Sequence, residues 1–564
     1  MLGDRLSRRA LLAGAAALAA AIRGRVTPAR AAAPAVGMIG DVVTLTPESL
    51  GPPGPDGLRP ARVALARSRR ARDESRAASD RAAGRRLAEL LRAGSAGHAG
   101  DLYDNRDRGH SRIGRKRYPR LTATAYAEPL RARSLDYGLN HRVRFDAITF
   151  GNSSTALTGR LWRSQPRWAL TSPERIARVS ALYNANHLYV YPEHRDHDSD
   201  RGDMFPAPVP QLVVSQGSSG SDRRFLHAIA HVLQAFRPET KAALAERGLV
   251  APTLQMLLRR TMRDAPDEAA YLSPAAHAVA LDPERVDLLR LVEAAHALTP
   301  ETAPRAVRLR VLEETPPGPG PALLADGLTE RLADTPELVA RRAIGVEGVR
   351  RYRLRAEAVG AEGRAVGFEW RVMRGPGVSL RVSGLDGAEA AIEVPWTDPY
   401  DAEAAGGLKT YRIDVAVFAR LGDALSAPAF FSVAFPPQER RRHRVDGRPA
   451  EIDYAAGAPR GLRQDPAIFP RRAWRDVFDY DERGALLGWT RSMGADRTRF
   501  TAHGLEVRET DGLGRPALAG AVRHRVERGP DGGLEVRPVA GETLYRYDYD
   551  GTADRIGVPR PAPR

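Results

Sequence analysis

The sequence predicts a multidomain protein: a central α/β domain with a mainly parallel sheet, then a β-sandwich, then a C-terminal region rich in β-hairpins. Three observations predict it. Between residues 96 and 314, short apolar runs alternate with helix-period segments, as in βαβ units. Over 345–436 the pattern changes to period-two runs spaced like sandwich strands. Over 437–564 the chain is punctuated by Asp/Gly turns.

Taken in order, residues 34–60 are rich in Pro and Gly and read as a linker, and Ala61 to Arg92 reads as an Arg/Ala-rich helix with wet polar faces, closing a 34–95 segment. In the α/β domain, Val143 to Phe150 reads as a strand ending in Gly151-Asn152-Ser153-Ser154. Ser172, Pro173 and Glu174 open a helix with Ile176, Val179 and Leu182 on one face. Leu188 to Tyr191 reads as a strand ending in the 192–198 loop, and Gln211 to Val214 as one ending in 215–221. Asp222 caps a helix carrying Phe225, Leu226, Ile229 and Leu233, and further helices fit Pro252–Met262 and Glu284–Leu298. Pro316 to Pro321 breaks every periodicity, so 315–344 reads as a linker with a short helix from Pro321 to Arg342.

The amino terminus carries an address. Ser7-Arg8-Arg9 leads into an Ala/Gly-rich apolar run from Ala13 to Ile22, followed by small-residue cleavage sites up to Ala33. Residues 1–33 therefore resemble a twin-arginine (Tat) signal peptide, which implies folding in the cytoplasm and a periplasmic or secreted destination. The run is shorter than the ~20 apolar residues of a membrane span, and no second long apolar run follows, so no membrane span is expected after signal removal. Two further resemblances are looser. Phe368-Glu369-Trp370 and Tyr411 to Val417 resemble parts of a PKD or immunoglobulin-like module, which implies spacing or binding rather than catalysis. Tyr480-Asp481, Thr510 to Pro516 and Tyr547 to Gly551 resemble degenerate YD-type repeats, and also suit ordinary hairpins.

Composition narrows the function classes. The net charge is +17, but only Lys116, Lys241 and Lys409 among 86 basic residues are lysines. A nucleic-acid patch needs clustering with interleaved aromatics, and the arginines read as spread along the whole chain, so no nucleic-acid partner is expected. There is no cysteine, which excludes disulfides and thiol chemistry.

The chemistry points to the central domain, which holds ten of the thirteen histidines. Three expected strands end in polar loops, and ligands of open α/β sheets sit beyond the carboxyl ends of strands. Glu193, His194, Asp196, His197 and Asp198 offer imidazole and carboxylate ligands for a divalent metal such as zinc, manganese or calcium, with His194 and His197 also candidate general bases. The loop with Ser218, Ser219 and Gly220, followed by Arg223 and Arg224, suits an anion or sugar-like substrate, with Ser218 a candidate nucleophile. Phe150 to Thr155 resembles the Gly-Asp-Ser block of SGNH-type esterases, placing Asn152 among the catalytic candidates, but no later Asp-x-x-His follows. His227 and His231 lie four apart on a helix, on its outer face, and read as solvated or as contacts to another domain rather than as metal ligands. Asp104 to His110 is a further polar loop that either roofs a site or forms a salt-laced turn. The expectation is a hydrolase-type enzyme acting on an envelope or extracellular polymer, its polar loops sharing one hollow. The competing expectation is a non-catalytic protein that binds polysaccharide or another protein.

Overall fold

A computed structural model describes residues 32–67, 81–153, 156–157, 163–193, 195–218, 220–316, 325–326, 328–360, 364–402 and 407–563. Its first part is built on a wholly parallel six-stranded sheet. The strands are β1 (Val42–Leu45), β2 (Leu102–Asn105), β3 (Thr122–Tyr126), β4 (Thr149–Asn152), β5 (His187–Glu193) and β6 (Val213–Gln216). Their spatial order is β6-β5-β4-β2-β3-β1. The central strands are buried along their length, so they read as continuous apolar runs rather than alternating ones. Gly151 is required in β4, because a Cβ there would sit 1.8 Å from the Asp104 carbonyl oxygen.

Helices cover both faces. On the Phe150 side lie α1 (Arg81–Arg92), α3 (Asp222–Ala235) and α5 (Leu288–Ala297), while α2 (Pro173–Tyr183) packs against β5 on the Tyr189 side. α4 (Val250–Arg260) packs beside α3 and α5. The chain leaves β2 for β3 on one side, then returns to β4 on the other. That reversal is a topological switch point, where open α/β sheets bind ligands.

The second part is a two-sheet sandwich. Its strands are β7 (Ala306–Glu314), β8 (Arg331–Thr335), β9 (Leu338–Arg342), β10 (Val349–Val359), β11 (Gly367–Arg374), β12 (Ser379–Ser383), β13 (Glu389–Pro395), β14 (Arg412–Leu421) and β15 (Ala429–Ala434). One sheet runs β7-β10-β13-β12 and the other β8-β9-β15-β14-β11. Leu354 and Ile392 from the first sheet meet Val415 and Phe431 from the second in one core.

The third part is a meander of nine strands. It runs through β16 (Arg440–His443), β17 (Pro449–Asp453), β18 (Arg475–Tyr480), β19 (Leu486–Met493), β20 (Asp496–Thr501), β21 (Glu506–Thr510), β22 (Pro516–Arg528), β23 (Leu534–Asp548) and β24 (Val558–Pro561). The short strand Ala325–Asp326 pairs in parallel with β22. Trp489 stacks on Phe500 in its core. The Asp481 and Asp511 turns have one geometry, each closed by a glycine at positive φ whose N–H donates to the aspartate carbonyl.

The α/β-then-β architecture matches the expectation, and several elements differ. Residues 34–60 are not a linker, because β1 lies there and its Val43 and Leu45 are fully buried. The expected helix from Ala61 begins as strand Val63–Ala66, and only Arg81–Arg92 is helical among the described residues. The expected strand 143–150 is two strands, since Val143–Phe145 pairs with Arg59–Ala61 and the chain then turns into β4. The helix expected up to Arg342 is the β8–β9 hairpin, turned by Pro336 and Glu337, while 317–324 lies outside the described residues. β7 belongs to the sandwich, so the α/β part ends near residue 305 rather than 314.

Candidate functional site

The switch point carries a polar network that begins with two asparagines facing each other in register, Asn105 on β2 and Asn152 on β4. The Asn152 Oδ1 accepts from the Tyr103 hydroxyl at 2.9 Å and from Asn105 Nδ2 at 3.0 Å. Its Nδ2 donates to Asp222 Oδ2 at 2.8 Å, at the first residue of α3. Burial raises the Asp222 carboxyl above its ordinary range, against hydrogen bonds from Asn152 and Ser111 that lower it.

Asn105 also shapes the loop that follows. Its Oδ1 accepts from the backbone N–H of Asp107 and Gly109, and its Nδ2 donates to the His110 carbonyl. Within that loop Arg108 and Ser111 both hold φ of +50°, on either side of Gly109 at +89°. Non-glycine residues in this region cost about 1–3 kcal/mol each and cluster at functional sites.

The connection 106–121 contains a single three-residue 3-10 turn, Arg115–Arg117, where a crossover helix would ordinarily lie. With no helix above it and only Ala123 and Ala125 projecting from that face of β3, the sheet is left under an open groove. Its volume is about 780 Å³, and Tyr103 and Asn105 lie in its wall. Four arginines line it, Arg108, Arg112, Arg115 and Arg131, with Asp136 as the one carboxylate. Asp136 is 5% exposed, and its Oδ1 is buried with no hydrogen-bond partner among the described residues. Its Oδ2 lies 3.7 Å from Arg108 Nε and 3.9 Å from Arg131 Nε. The arginines are therefore not evenly spread: residues 106–120 hold six of them and Lys116, against Asp107 alone.

Behind the groove, Asp104 is a rigid hub. It accepts from Thr124 Oγ1, Tyr126 and Tyr189 hydroxyls and Arg106 Nε at 2.7–3.0 Å, with His141 Nε2 at 3.3 Å. Burial alone would raise its pKa, but His141, Arg106 and Thr124 together hold it well below the carboxylate range. Burial and Arg106 push His141 down to about 4.

The other expected residues lie elsewhere: among the described residues the 192–198 and 215–221 tips meet in one cavity, which His197 and Gln216 both line, while Asn152 at the third tip is buried against Asp222. Asp196 is engaged by Arg167 Nε at 2.8 Å and by the Ser164 N–H at 2.7 Å. Glu193 accepts from the Asp196 N–H, and burial, then Asp196, push it up to about 8. His197 and Asp198 line that cavity, of about 650 Å³ and separate from the groove, with Gln216, Asp264 and Arg285. Burial lowers the pKa of His197, and both its ring nitrogens are buried without a hydrogen-bond partner among the described residues. Asp198 Oδ1 accepts from the N–H groups of Asp200 and Arg201. Among the described residues, no three His, Asp or Glu side chains gather as a metal cluster, and His194 lies outside them. Ser218 and Arg223 are exposed, Gly220 has a φ of +97°, and Arg224 reaches Glu284 and Val286. Ser219 lies outside the described residues.

His227 and His231 are not on a wet outer face. Tyr118 hydrogen-bonds His227, and His231 is fully buried, because the 106–121 connection folds over that side of α3. Sequence reasoning missed Asp136 and the role of Tyr103. The readable signal was the dense cation run between β2 and β3, in a connection without helical periodicity.

No known family profile matches the chain, and no curated protein matches it. Among solved structures it is similar to a nucleoside hydrolase-related hypothetical protein from Saccharophagus degradans that is associated with carbohydrate metabolism. That similarity covers 60% of this chain and 99% of the other, at 9% identity and a TM-score of 0.18.

Proposed function

We propose that the protein is a hydrolase-type enzyme, exported by the Tat route, that takes an acidic envelope or extracellular polymer into the switch-point groove. The observation that carries this reading is Asp136: a carboxylate in the wall of an open groove, with an oxygen that no group among the described residues hydrogen-bonds. As the lining carboxylate of the groove, beside Arg108 and Arg131, Asp136 is the side chain there that can take a proton from water, the general-base role in hydrolysis, once bound substrate opens access to its buried oxygen. The four arginines suit the substrate's own negative charges, since guanidinium groups bind carboxylate or sulfate bidentately. Tyr103 and Asn105, locked through Asn152 to α3, hold the floor of the groove in place.

Release of new chain ends from a panel of acidic and neutral polysaccharides tests the proposal. Turnover restricted to acidic polymers, weakened by Arg112→Gln, is the expected result. Binding of the same polymers with no turnover would favour the non-catalytic, polysaccharide-binding reading instead.

A further inference from the structure

We infer that the C-terminal β-region holds a second binding site, independent of the groove, for a sugar acid: a hydroxyl-bearing ring that carries a carboxylate. A cavity of about 780 Å³ opens where residues between β17 and β18 cross the ends of β19 and β23. That size suits a ligand of one or two sugar rings. Three of the residues that line it are at least nine-tenths buried and keep a polar atom without a hydrogen-bond partner: Gln438 Oε1, the Tyr454 hydroxyl and Arg472 Nε. Arg471 Nε at the same cavity is also buried and unpartnered. Native proteins rarely leave buried polar atoms unsatisfied, and several around one cavity mark a place where a ligand completes the bonding.

The types of these atoms define the ligand. Arg471, Arg472 and Arg537 line the cavity and each meets a carboxylate: Asp531 and Glu535 for Arg471, Glu439 for Arg472, and Glu527 and Glu535 for Arg537. The Nε–H groups of Arg471 and Arg472 are nonetheless cationic donors with no acceptor among the described residues, which a ligand carboxylate would satisfy. Arg471 spends its outer nitrogen on Asp531 and Glu535, which leaves its Nε–H pointing to no protein acceptor. Gln438 Oε1 is an acceptor and needs a donor, which bare phosphate at high pH or a simple carboxylate does not supply and a sugar hydroxyl does. The Tyr454 hydroxyl can both give and take. Val536 and Pro538 provide apolar surface for the C–H face of a ring.

Titration of the purified full chain with sodium glucuronate, glucose and inorganic phosphate, read by calorimetry and by tryptophan fluorescence, tests this, because Trp474 lines the cavity. Glucuronate is expected to bind, with glucose and phosphate at least about tenfold weaker. Arg471→Gln, at a residue whose side chain is 42% exposed, should fold normally and weaken glucuronate about tenfold. Gln438→Leu should do the same by removing the acceptor. Asp136→Asn should bind glucuronate at this site like the wild type, so failure of the hydrolase reading leaves this result intact. Absence of glucuronate binding, phosphate binding as tight as glucuronate, or full affinity in both Arg471→Gln and Gln438→Leu would overturn the inference.

Discussion

Asn152 on β4 and Asp222 at the start of α3 are hydrogen-bonded at 2.8 Å, both fully buried. The contact ties the tip of one central strand to the helix that covers the sheet, next to the floor of the groove. Removing the amide by Asn152→Ala leaves a buried carboxylate oxygen unsatisfied, at a cost of about 1–3 kcal/mol. Urea denaturation should show that loss. A double-mutant cycle with Asp222→Asn should give a coupling above about 0.5 kcal/mol, since the two act as one pair.

Glu193 is pushed up to about 8 by burial and Asp196, so the folded state prefers its protonated form. The stability this form contributes is fully present below the ordinary carboxylate pKa and is lost as pH rises through about 8. Glu193→Gln keeps the acceptor for the Asp196 N–H without the ionisation. The variant should equal the wild type near pH ~4 and be more stable near pH ~9, by about 4–5 kcal/mol in thermal melts.

Burial lowers His187 and His277 to about 3, with Arg106 and Arg259 respectively adding repulsion. The neutral form is favoured, so the stability it contributes is present above the unfolded pKa and lost as pH falls through about 3. NMR of the imidazole resonances should show neither ring titrating between pH ~7 and ~5. A midpoint for either ring near the ordinary histidine value would contradict the packing described.

Arg167, fully buried, bonds Asp196 at 2.8 Å and Asp465 at 2.6 Å, which joins the α/β part to the connection between β17 and β18 of the meander. Breaking one side of a buried pair costs about 3–5 kcal/mol, because the remaining charge is stranded. Asp465→Ala should therefore lower stability by that order in denaturant unfolding. The loss should reach the α/β part as well, visible as a lower midpoint for tyrosine signals from β5.

The fold was readable where local chemistry and burial agree. Leu188 to Tyr191 carries a continuous apolar run, and Ser172-Pro173-Glu174 a helix start, and both elements formed there. β1 was hidden, because four residues between Pro- and Gly-rich stretches gain their meaning only by pairing with β3 far along the chain. The β8–β9 hairpin was hidden by a sequence rich in Leu and Ala with helical spacing, which tertiary pairing with β15 overrides. At the site, Asn152 stood out through the esterase-like block as a catalytic candidate, whereas it is fully buried and braces Tyr103, Asn105 and Asp222. Asp136 was not, because it sits in an irregular segment, and only the absence of a crossover helix brings it to the groove. The shared hollow formed only in part, for a geometric reason: His197 and Gln216 from two strand tips line one cavity, while Asp196 turns inward to Arg167 and Asn152 is buried against Asp222.

Hydrolysis by Asp136→Asn set beside the wild type tests the groove most directly. The substitution preserves shape and removes the proton acceptor. The rate of chain-end release from an acidic polymer should fall at least about a hundredfold, with circular dichroism, melting temperature and polymer affinity unchanged. An Asp136→Asn protein that hydrolyses at the wild-type rate would contradict the assignment.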